Sequence, residues 1–66
     1  MTRFERDYNG IKNGTEDAII ILQRRKEELK SLEEKGRREK NSFRRECIAQ
    51  DFVKRTEEYN LLSELA

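Results

Sequence analysis

The stretch GTEDAIIILQRRKEEL, residues 14–29, opens like a helix cap, closes like a solvated helix and carries three consecutive isoleucines in between. Thr15 is a good N-cap because its hydroxyl can accept from a free N–H of the first turn, and Glu16 and Asp17 put negative charge at the positive end of the helix dipole. Ala18, Leu22, Leu29 and Leu32 then fall on one stripe, with Arg25 interrupting it. A helix turns about 100° per residue, so Ala18 and Leu29 stay within about 40° of Leu22, whereas Ile20 and Ile21 swing about 160° and 260° away. Both isoleucines are therefore expected to point off the face that Leu22 and Leu29 share. The competing reading is a strand at Ile19–Leu22 entered through the turn NGIKNG, since isoleucine is a strong strand former, but the flanking sequence offers no second strand. A helix over 15–35 follows, with Gly36 as its C′ residue and Lys35, Arg37 and Arg38 near the negative end of its dipole.

Working outward, Thr2-Arg-Phe-Glu5 matches a capping box, and Phe4, Tyr8 and Ile11 follow at helical spacing, which predicts a short helix over 2–9 ending near Gly10 and Gly14. Downstream, Asn41 or Ser42 can cap a helix over 42–65 whose wide face holds Ile48, Ala49, Phe52, Val53, Thr56, Tyr59, Leu62 and Ala66. Phe43, Cys47, Leu61 and Leu65 lie together off that face. Were the two long helices one rod, the stripe of Leu22 and Leu29 would continue through Gly36, Glu39, Phe43, Glu46 and Gln50, which is a poor coiled-coil seam. A bend near 36–41 is the better layout. The expected fold is all-α and a single module over 1–66: a short N-terminal helix, then an antiparallel helical hairpin that dimerises into a four-helix bundle.

Composition supports that reading. In 66 residues hydrophobic burial barely offsets chain entropy, and the usual staples are missing, because Cys47 has no partner for a disulfide and histidine is absent. Structural zinc is excluded on the same grounds, and no cofactor is expected. Another subunit remains the natural support. Charged residues at 44% against 33% apolar ones, with no proline, favour long water-facing helices. No apolar run approaches the roughly 18 to 20 residues of a membrane span, and the N-terminus MTRFERDYNG lacks the apolar core of a signal peptide. A lone thiol suits a reducing compartment, so the expected location is the cytoplasm, with no membrane partner.

The net charge of +1 is unevenly spread: ten Lys and Arg against five Glu give +5 over residues 24–45, while residues 1–23 carry −1 and residues 46–66 carry −3. Each long helix thus has two apolar faces, of which one hairpin can bury only one, and the other marks an interface: with a foreign protein, with a second copy, or with Phe4, Tyr8 and Ile11 docking on the isoleucines. Ile19, Ile20, Ile21, Phe43, Leu61 and Leu65 are the candidate partner-binding residues. The basic elbow KGRREKNSFRRE, residues 35–46, offers Arg37, Arg38, Lys40, Arg44 and Arg45 beside Phe43 as an alternative site for RNA or DNA, although Glu34, Glu39 and Glu46 would repel a phosphate backbone.

Cys47 has no histidine to activate it and reads as a small buried apolar residue, and the adjacent pairs Glu27-Glu28, Glu33-Glu34 and Glu57-Glu58 diverge on a helix instead of converging as an acid/base pair. No phosphate-binding or nucleophile-elbow motif is present. The expectation is a non-enzymatic protein-binding module, an adaptor or an inhibitor that occludes a larger protein, of the kind that short phage and mobile-element genes often encode. Its partners would be a protein of unspecified identity and a second copy packed antiparallel.

Overall fold

The chain is seen in a computed structural model that describes Met1–Ala66. It is all-helical: α1 spans Arg3–Lys12, α2 Ala18–Arg38 and α3 Ser42–Leu65, with no strand. Thr2 caps α1, its hydroxyl accepting from the Glu5 N–H at 3.1 Å. Past Asn13 the backbone turns through Gly14, whose φ of +71° is open to glycine at little steric cost. The N–H groups of Thr15 and Glu16 then both donate to the Gly10 carbonyl, at 3.0 and 3.1 Å.

This wrap decides where α2 begins. The Thr15 hydroxyl also turns back, donating to the Gly10 carbonyl at 3.4 Å instead of accepting from the first turn of α2, so the cap falls to Asp17, whose carboxylate accepts from the Ile19 N–H at 2.9 Å. The expected start at residue 15 is thus moved to Ala18 and the expected cap from Thr15 to Asp17. Gly10 eases the wrap, because a Cβ there would lie 2.5 Å from Glu16 Cγ and the Glu16 side chain would have to shift.

The expected end of α2 also moves. Gly36 is not a C′ residue but an ordinary helical position, and α2 runs on to Arg38. Its value lies in size: a Cβ on Gly36 would meet the Ile48 side chain at 3.2 Å, so the missing side chain lets α3 come close. Residues 39–41 make the connection, where the Asn41 side chain accepts from the Arg44 N–H at 3.0 Å to cap α3. Arg45 reaches back to donate to the Glu39 carbonyl at 2.8 and 3.1 Å. That carbonyl is one that the end of α2 leaves free.

α2 and α3 run side by side in opposite directions: Gly36 lies against Ile48, Glu28 reaches Arg55 at 3.5 Å, and Arg25 reaches Glu58 at 3.2 Å. α1 is shorter and lies along one end of this pair, Arg3 bonding Glu28 and Asp7 bonding Arg25. The molecule measures 42 × 20 × 17 Å and has two unequal halves. Near the chain termini three helices meet, and all the buried side chains, namely Ile21, Leu62, Asp7 and Arg25, sit there. Towards the elbow only α2 and α3 remain, and Leu29, Leu32, Ile48 and Phe52 are half-buried.

The buried position of Ile21, 4% exposed, corrects the expectation that it points off the seam. The physical reason is α1: a third helix on that flank widens the buried arc of α2 to take in Ile21, Arg25 and Glu28 as well as Leu22 and Leu29. Leu62 is fully buried in the same half. Leu62→Ala is expected to cost about 2 to 5 kcal/mol, comparable with the whole stability of so small a domain, and so to abolish cooperative unfolding. Leu32→Ala, at a half-buried position in the two-helix half, should cost clearly less. Urea titrations followed by circular dichroism rank the two.

Candidate interaction surfaces

The most ordered polar feature joins all three helices. The Arg25 guanidinium donates through Nε to Asp7 Oδ2 at 2.9 Å, holds the same oxygen with Nη2 at 2.9 Å, and donates through Nη1 to Glu58 Oε2 at 3.2 Å. One turn further along α2, Glu28 does the converse, accepting from Arg3 of α1 and facing Arg55 of α3 at 3.5 Å, while Arg55 also donates to Asp51 at 3.2 Å. No buried side-chain nitrogen or oxygen lacks a partner. Arg25 therefore does not interrupt the buried stripe but is the polar centre of it. The one sequence signal is Arg25 itself, a charge lying on the stripe of Ala18, Leu22 and Leu29, whereas Asp7 and Glu58 sit among other charges that do not mark them as its partners.

This cluster is a clasp between helices, with its charges satisfied internally. The Arg3 guanidinium holds the Glu28 carboxyl below the usual glutamate range by its hydrogen bond, against a smaller opposing effect of burial, and the charges of Arg3, Arg55 and Arg25 act in the same direction as the bond. Glu28 in turn raises Arg3 further above its ordinary value. No group of Cys, Asp and Glu side chains converges closely enough to hold a metal ion.

The candidate apolar residues do not form one surface. Ile21 is in the core, whereas Ile19 is 75% and Ile20 54% exposed. Turning about 100° per residue, those two leave α2 on opposite sides of the buried arc, Ile20 towards the flank that carries α1 and Ile19 towards the flank without it. Leu65 is half-buried and Leu61 half-exposed at the end of α3, while Phe43 projects at the elbow, 73% exposed and far along the molecule from the isoleucines. Cys47 is exposed, which corrects its reading as a buried apolar residue. It lies on the outer side of α3, where the two-helix half has nothing to cover it. Val53, 55% exposed, was assigned to the buried face and belongs to the exposed set instead.

At the elbow, Arg37 pairs with Glu33 at 2.6 Å and Arg45 is held by the Glu39 carbonyl, whereas Arg38, Lys40 and Arg44 are exposed and make no ion pair within the chain. On the flank away from α1 lies an open groove of about 810 Å³ lined by Leu29 of α2 and Phe52 of α3, with Lys26, Glu27, Lys30 and Glu33 along its rim. No helix is long and apolar enough to cross a membrane. No protein-family model, curated protein or solved structure matches the chain.

Two measurements test the clasp. Asp7→Ala leaves the buried Arg25 guanidinium short of a partner and is expected to cost about 3 to 5 kcal/mol, whereas Arg37→Ala, which opens an exposed pair, should cost less than about 0.5 kcal/mol. Thermal unfolding of both variants against the parent gives the comparison. For pH, the folded-state pKa of Glu28 is depressed, so its contribution is fully present above the ordinary glutamate value and is lost as pH falls below it. Melting temperatures taken from pH 7 down to 3 should fall less steeply in Glu28→Gln than in the parent.

Proposed function

We propose that this chain is a protein-binding module that acts without catalysis, as an adaptor or as an inhibitor that occludes a larger protein, and that it works as a helical hairpin paired antiparallel with a second copy in a four-helix bundle. The observation that carries the reading is an imbalance. Only Ile21 and Leu62 are buried among the large apolar side chains, while Ile19, Ile20, Phe43, Val53 and Leu61 are half-exposed or more. A chain of this size with so small a core needs further burial to be stable, and its exposed apolar side chains are where a partner would supply it. Charge suggests the direction. The elbow concentrates Arg38, Lys40 and Arg44, and the other end carries Glu16, Asp17, Glu57 and Glu64, so antiparallel copies set opposite signs side by side.

A second reading, binding of RNA or DNA at the elbow, draws on the unpaired cations Arg38, Lys40 and Arg44 beside exposed Phe43. One variant separates the two. Replacing Arg37, Arg38, Arg44 and Arg45 by Gln is expected to weaken self-association modestly, with a loss that shrinks as salt rises from about 50 to 300 mM. Sedimentation equilibrium and gel shifts are run on the same proteins. A response confined to the gel shift would reject the protein-binding reading. For the hetero-partner, immobilised chain should retain one stoichiometric, nuclease-resistant protein, and Ile20→Asp combined with Leu61→Asp should release it while leaving helicity in place. Retention by the variant would remove those residues from the site.

A further inference from the structure

α1 covers one flank of the α2–α3 pair, and the opposite flank has no third helix. Helical geometry puts Ile19, Leu22 and Leu29 of α2 and Ala49 and Phe52 of α3 on or beside that open flank. Leu29 and Phe52 line its groove, Leu22 is half-buried, and Ile19 and Ala49 are exposed. We infer that this flank, and not the isoleucine girdle as a whole, is where a second copy of the chain sits, with α2 packed antiparallel on α2 of the partner about an axis near Leu29. The inference rests on the self-association proposed above and specifies its surface.

Three observations lead to a second copy as the occupant. The flank has no third helix over it and follows the 21 residues of α2, roughly 30 Å at 1.5 Å per residue, which is long enough to seat the α2 of a second copy. Next, the groove divides the molecule's half-buried apolar residues from solvent where the core is thinnest. Leu29 and Phe52 are half-buried there, and covering them completes the two-helix half as α1 completes the other.

The third observation is the rim, which is complementary to itself. Lys26, Glu27, Lys30 and Glu33 flank Leu29 in such an order that an antiparallel copy centred on Leu29 sets Lys26 within one residue of the partner's Glu33 and Glu27 within one residue of the partner's Lys30. Lys26, Glu27 and Lys30 make no ion pair within the chain, and Glu33 holds only the exposed Arg37. A parallel arrangement of α2 on α2 would instead bring like charges together. α1 stays on the outer flank of each copy, and Ile20, Leu61 and Phe43 remain outside this interface for another protein.

Sedimentation equilibrium on the full chain, with helicity followed over the same concentrations, tests the surface and the direction. Ile19→Glu combined with Ala49→Glu should weaken the dimer by roughly tenfold or more, because both side chains are exposed in the single chain and lie on the proposed seat. Ile20→Glu makes the same chemical change on the α1 flank and should leave the dimer intact. Where dissociation also lowers helicity, the concentration at half-signal is the reading. Lys26→Glu and Glu33→Lys should each weaken the dimer by about two- to fivefold, and the two together should restore it. A folded parent that stays monomeric at the highest concentration overturns both this inference and the self-association beneath it. A dimer that tolerates Ile19→Glu with Ala49→Glu overturns the surface alone, whatever Ile20→Glu does, and failure of the paired charge exchange to restore association overturns the antiparallel seat.

Discussion

The Arg25 guanidinium, buried between Asp7 of α1 and Glu58 of α3, constrains the positions of all three helices at once. A hydrophobic contact can slide by a fraction of a turn at modest cost, but a buried guanidinium must keep its donors on fixed oxygens or be left unpaired in a low dielectric. The neighbouring site strengthens this choice by reversing the signs, since Glu28 meets Arg3 of α1 and Arg55 of α3. Sliding α1 by one turn towards the elbow would bring Asp7 up to Glu28, so the wrong register meets repulsion and the right one attraction. Polar placement gives the register, and Ile21 and Leu62 beneath it give the burial.

The all-helical class was legible from the amino acids, because Phe4, Tyr8 and Ile11 or Ile48, Phe52 and Tyr59 keep helical spacing and no proline interrupts them. Thr2 and Asn41 were also readable as caps, since each needs only its own side chain and the N–H three residues on. Errors arose wherever a second element intervened. The start of α2 depends on the Gly10 carbonyl, five residues back, drawing the Thr15 hydroxyl away. The burial of Ile21 and the role of Arg25 depend on α1 lying on one flank of α2, and wheel arithmetic for a two-helix seam contains no such helix. Gly36 resembled a terminator by residue type, but its partner is Ile48 across the seam. Of the candidate apolar residues, exposure could be anticipated from spacing, but the distribution of Ile19, Ile20, Phe43 and Leu61 over separate parts of the surface could not.

The two halves differ in how they are held. Near the termini, ion pairs and a small apolar core tie three helices together, and at the elbow a glycine contact, an asparagine cap and an arginine on a carbonyl tie two. The thinner half carries Arg38, Lys40 and Arg44, which make no ion pair, as well as Phe43 and Cys47, all accessible to solvent. The core is thus closed at one end, while apolar and basic groups stay open to solvent along the rest.

The meeting of Gly36 with Ile48 has a consequence for motion. In the elbow half the backbone bonds of α2 and α3 are screened from water on one side only, so amide protons there should exchange with solvent through local opening, while those around Ile21 and Leu62 require all three helices to part. Protection would then decline along α2 from its N-terminal to its C-terminal half and rise along α3 in the opposite sense. The helix ends that a reader would take as most firmly joined, because a connection of only three residues links them, become the loosest part of the molecule. Covalent proximity and thermodynamic anchoring lie at opposite ends of this fold.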